Sequence, residues 1–90
     1  MTKTEIYGKL EEIFRDLLDD DAFKLTEDVS MDTLEAWDSL LHITLIAAVE
    51  DEFRIHLSDE DIPRVKQAGI LADTIMQEME KQNRQVISIT

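Results

Sequence analysis

Asp38, Ser39 and His42 stand together in EAWDSLLHITLIAAVEDEF, residues 35–53. By type they are the acid, nucleophile and base of a hydrolytic triad. Ser39 and His42 lie three residues apart, on neighbouring turns of a helix. A triad also needs its base oriented by a third group, donors for an oxyanion and a cleft for substrate. Asp38 is better placed to cap the helix, His42 falls on an apolar stripe, and no Gly-x-Ser-x-Gly elbow is present. Metal chemistry fares no better. His42 and His56 have no helical spacing, HExxH is absent, and the Asp19–Asp21 run lacks the glycine and closing glutamate of a calcium loop. The residues therefore predict neither an enzyme nor a metal site. They leave Ser39 as a group acted upon. A serine at the first helical position presents its hydroxyl beside free backbone N–H groups, and a helix N-terminus favours a phosphoester formed there.

The element behind that serine runs from Asp38 or Ser39 to about Arg54. His42, Leu45, Ile46, Val49 and Phe53 form a stripe that faces a core. Leu40, Leu41, Ile43, Ala47 and Ala48 spread around the other sides. A helix apolar all round is buried all round, or it carries a docking patch. Before it, Ile6, Leu10, Ile13, Phe14 and Leu17 mark one face of a first helix, opened by Thr2 or Thr4 and fading near Asp19–Asp21. The segment 19–37 has no period and reads as a long loop with apolar anchors at Phe23, Leu25, Val29, Met31 and Leu34. Ser58 and Asp61 suggest a cap for a short helix III over 59–65, with Pro63 near its start. Ala68, Leu71, Ala72, Ile75 and Met79 give a last helix over about 67–81. The predicted fold is all-α, a four-helix bundle of three longer helices and one short one, with the long loop between helices I and II. Residues 1–82 form a single domain, and 83–90 are expected to be a disordered tail.

Composition narrows the partners. The 90-residue chain has no cysteine and a formal net charge of −12. Residues 1–61 carry 5 basic and 18 acidic side chains, a net −13, and residues 62–90 carry +1. Such a field repels nucleic acid and anionic membranes and attracts basic protein surfaces. Without cysteines, an apolar leader or a membrane-spanning run, the expected location is the cytoplasm, as a monomer with no stable membrane insertion.

The DSL of Asp38–Leu40, followed by LIAAVEDEF and IHLSDEDI, resembles the acyl carrier proteins. Helix order, the long first loop and length agree, and the resemblance runs from about Thr4 to Lys81. It implies that a phosphopantetheinyl transferase attaches 4′-phosphopantetheine from coenzyme A to Ser39. The arm's thiol would carry acyl or aminoacyl groups as thioesters. The partners implied are that transferase, a loading synthetase, and acyltransferase or synthase enzymes. The family's partners read the serine-bearing helix, which points to Asp38, Leu40, Leu41, Ala47, Glu50 and Asp51 for docking. Trp37 replaces the glycine-containing lead-in of fatty-acid carriers, and Thr44 stands where a further acid is common. The WDSL form suggests a carrier for a specialised biosynthetic pathway. An alternative is a carrier-like interaction module that is never modified.

Overall fold

Thr2 opens the first helix with a complete capping box. Its hydroxyl accepts from the Glu5 N–H at 3.2 Å, and the Glu5 carboxylate accepts from the Thr2 N–H at 3.0 Å. The Thr2 N–H, and after it the Thr2 hydroxyl, which also donates to the carboxylate at 3.0 Å, hold the Glu5 carboxyl below its ordinary 4.5. The fold, seen in a computed structural model that describes residues 1–89 and the side chains of residues 1–82, has three helices among the described residues: α1 (Lys3–Leu18), α2 (Ser39–Phe53) and α3 (Ala68–Ile89). The expected disordered tail over 83–90 falls outside the residues whose side chains are described. The α3 backbone runs past the Lys81 end read from sequence.

Asp19 ends α1 in the left-handed conformation (φ 52°), which a short polar side chain tolerates. Arg54 ends α2 the same way (φ 54°) without that excuse. The core gathers Ile6, Leu10 and Phe14 of α1, Leu45 and Val49 of α2, and Leu71 and Ile75 of α3. Trp37, Ile55, Leu57 and Val65 complete it from the connections. All five residues of the stripe read on helix II are buried.

The long loop packs across the helices, as its anchors predict. Phe23, Leu25, Val29, Met31 and Leu34 all lean on the core. Phe23 stacks on Phe14 with ring centroids 5.7 Å apart, and the Phe23 carbonyl accepts from Arg15 Nε at 2.8 Å. Glu11 accepts from the Leu25 N–H at 2.9 Å. Farther along, the loop replaces a side-chain cap for α3. The Ala68 and Gly69 N–H groups donate to the Val29 and Glu27 carbonyls at 2.8 and 3.1 Å. A Cβ at position 69 would sit 3.3 Å from both Glu27 Cβ and its carbonyl oxygen, so glycine admits this close approach.

The expected short helix III does not form. Residues 59–64 are a set of turns. Ser58 caps the first as read, its hydroxyl accepting from the Asp61 N–H at 3.2 Å, and Val65 bonds back to the Asp61 carbonyl at 3.1 Å. Pro63 supplies no N–H, and the residue before a proline is pushed away from helical geometry. The helical ladder is therefore broken at its middle. The fold is a three-helix arrangement closed by an ordered turn, not four helices.

Candidate functional site

Helix α2 begins where Asp38 stops being helical. Its backbone is extended (φ −96°, ψ −175°), and Oδ1 accepts from the Leu41 N–H at 2.8 Å. Ser39 is then the first helical residue, and it is exposed. The predicted geometry for Ser39 is thus present. The predicted cap is present too, with Leu41 as the partner.

Trp37 fixes the direction from which the chain enters the helix. Its indole is only 1% exposed and packs edge-on against Phe14 at 5.1 Å between centroids. Indole Nε1–H donates to His42 Nδ1 at 3.0 Å, and His42 Nε2 lies 2.7 Å from the Ile62 carbonyl oxygen. An indole nitrogen can only donate, so Nδ1 must accept, and the ring proton sits on Nε2 and goes to Ile62. Both nitrogens of this buried ring are therefore engaged (5% exposed). His42 cannot serve Ser39 as a base, which removes the triad. The Trp37 and His42 rings lie 5.9 Å apart between centroids. The hydrogen-bonded chain to the 58–65 turn is not something the sequence signalled.

The surplus apolar side of α2 remains on the surface. Leu40 is 78% exposed and Ile43 60% exposed, both within about one turn of Ser39. Ala47 is exposed, while Leu41 and Ala48 are half-buried and lean on the core. The acids at the far end of α2 divide. Asp51 is exposed. Glu50 turns inward, accepting from the Leu57 N–H at 2.9 Å and lying 3.2 Å from His56 Nδ1. Glu52 pairs with Lys9 of α1 at 3.2 Å. Ile43 belongs with Leu40 by exposure, and its place in the second apolar set was the one sequence signal for it.

Beside Ser39 lies an open groove of about 700 Å³, lined by Met31, Asp32, Thr33, Glu35, Trp37, Asp38, Ser39 and Lys66. Backbone pairing builds it. The Met31 N–H donates to the Lys66 carbonyl at 3.0 Å, and Ser30 bridges antiparallel to Gln67. That contact joins residues far apart in sequence, so Lys66 could not be placed near Ser39 in advance. Among the described residues no three His, Cys, Asp or Glu side chains are grouped to hold a metal ion. An exposed serine hydroxyl opening on a groove suits a covalently attached, flexible prosthetic group.

The chain is 40% identical over 67 residues to the acyl carrier protein of Petrotoga mobilis, covering 73% of this chain and 78% of that one. The chain belongs to the acyl carrier protein family. No family model matches the sequence. The fold superposes on the solution NMR structure of the holo acyl carrier protein from Geobacter metallireducens with a TM-score of 0.79 at 32% identity, covering 88% of this chain and 91% of that one. The crystal structure of the acyl carrier protein from Thermotoga maritima gives a TM-score of 0.76 at 25% identity, covering 88% and 92%. Acyl carrier proteins are carriers and not enzymes, which accords with the engagement of His42. The family as a whole carries phosphopantetheine and works with transferases and synthases.

Proposed function

We propose that the protein carries acyl or aminoacyl groups as thioesters on a 4′-phosphopantetheine arm attached to Ser39, for enzymes of a specialised biosynthetic pathway in the cytoplasm. The observation that carries this reading is Ser39 itself, exposed at the first position of α2 with its neighbouring acid committed to the cap. The arm supplies the thiol that a chain without cysteine lacks. In the attachment step the Ser39 hydroxyl oxygen bonds to the phosphorus of coenzyme A that bears pantetheine. The nucleotide half of coenzyme A leaves, and the hydroxyl proton passes to a base on the transferase. The helix N-terminus favours the new negative charge, and Asp38 opposes it in part.

Docking is proposed along the exposed face of α2. Leu40, Ile43 and Ala47 offer apolar contact, and Asp38 and Asp51 offer charge to a basic partner face. Leu41 and Glu50 contribute less directly, since both are half-buried. Trp37 in the WDSL lead-in supports a specialised carrier, because it spends its indole N–H on His42 where fatty-acid carriers usually have a glycine-containing stretch. A broad-range transferase with a fluorescent coenzyme A analogue tests the attachment: label should enter the native protein and not Ser39→Ala. Equal labelling of both would move the site off Ser39.

A further inference from the structure

The groove beside Ser39 contains four charged side chains, and only one is positive. Asp32, Glu35 and Asp38 line it with Lys66. Every other described lysine save Lys24 lies in an ion pair: Lys3 with Asp73, Lys9 with Glu52 and Lys81 with Glu78. Lys66 pairs with no carboxylate within ion-pair distance among the described residues, although three line the same groove. Its backbone is held in place by the Met31 N–H at 3.0 Å, and its side chain is exposed. In a protein of net charge −12 an unspent cation beside the reactive hydroxyl is an asymmetry with a chemical use.

We propose that this groove is a resting site for the proximal half of the arm on Ser39, in which Lys66 pairs with the phosphodiester. The inference rests on the attachment proposed above and concerns where the arm lies once attached. A phosphodiester brings one negative charge to a place already bordered by Asp38, Asp32 and Glu35. An ammonium lining the same groove offsets that repulsion, and it carries three donors for the phosphate oxygens. Of the rest of the lining, only Met31 offers contact to the pantetheine portion of the arm. Met31 gives apolar surface for the branched dimethyl carbon, and the open mouth leaves the arm's amides to water. Trp37 is 1% exposed with its indole N–H given to His42, and the Thr33 hydroxyl is bonded to Ser30, so neither adds to the hold on the arm. Only the phosphodiester is paired in the groove, which is open, so the thiol end is left to the partner enzymes.

An exposed ion pair contributes modestly, so loss of the ammonium should lower the docked population about two- to fivefold and leave attachment intact. The test compares apo and holo protein, native and variant, by intact mass and by NMR. Intact mass first establishes that coenzyme A and a transferase have added one arm; no added mass would overturn the attachment reading and this one together. With the arm present, the amides of Met31, Asp32 and Thr33 and the Trp37 indole N–H should shift. The ³¹P signal of the phosphodiester should also differ between the native protein and Lys66→Ala. Lys66→Arg should keep the native pattern, and Lys66→Ala should shrink the groove shifts towards zero. An arm that is present by mass but shifts only residues 38–41 overturns the resting site while leaving the attachment standing. Equal groove shifts in native protein and Lys66→Ala overturn the role of Lys66.

Discussion

At the scale of single residues, the site depends on which polar atoms are already spoken for. His42 holds Trp37 and the Ile62 carbonyl with its two ring nitrogens. Replacing it with leucine strands a buried indole N–H and a carbonyl, at a cost of about 2 kcal/mol or more. His42→Gln keeps one donor and one acceptor and should recover much of that loss. Urea denaturation of both variants measures the difference; equal midpoints would mean the hydrogen bonds contribute little. Tyr7 presents the opposite case. Its hydroxyl is buried and bonds to nothing among the described residues, and burial raises its pKa above the ordinary 10.0. Tyr7→Phe should therefore be neutral or stabilising by up to about 1 kcal/mol in the same assay. Sequence reading reached Ser39, Asp38 and the buried stripe because each has a local signal: a cap, a first-turn hydroxyl, a period. It could not reach Lys66 or the Ile62 carbonyl, whose roles come from backbone contacts spanning tens of residues.

At the scale of elements, ends matter more than middles. Thr2→Ala removes the hydroxyl's part of the capping box, leaves the backbone N–H bond to Glu5, and should cost about 1 kcal/mol. Because the folded-state pKa of Glu5 is depressed, its stabilisation is present above the unfolded value. It is lost as pH falls through the folded one. Asp61, held down chiefly by its bond to Arg64 at 3.1 Å, behaves the same way. A carbon-13 titration should show the Glu5 carboxyl rising part of the way towards the ordinary range in Thr2→Ala, where the backbone donor remains, and staying lower in the native protein. The 58–65 segment shows why an expected helix fails to form. Its cap is legible at Ser58, but Pro63 lies too far in for a run of this length. Pro63→Ala should add helical signal in far-ultraviolet circular dichroism; an unchanged spectrum would place the cause elsewhere. The start of α3 is also only approximate from sequence, since its cap is the loop backbone at Glu27 and Val29 and not a side chain.

At the scale of the whole molecule, charge is the dominant variable. Twelve net negative charges on a 90-residue chain repel one another, and salt screens them over about 8 Å at physiological ionic strength. Added sodium chloride should raise the melting temperature and slow association with a basic partner enzyme. A melting temperature that falls across the same range would show that the ion pairs outweigh the repulsion. The all-helical class and the packing of the long loop were legible because hydrophobic period and anchor spacing survive in any compact arrangement. No described helix is long and apolar enough to cross a membrane.

The central claim is that one hydroxyl, on Ser39, receives the arm. Incubation with coenzyme A and a phosphopantetheinyl transferase, then intact-mass measurement and peptide mapping, tests it directly. The account predicts a single added phosphopantetheine on the peptide containing Ser39 and none on Ser39→Ala. An unchanged native mass with several broad-range transferases, or an arm mapped to another residue, would contradict it.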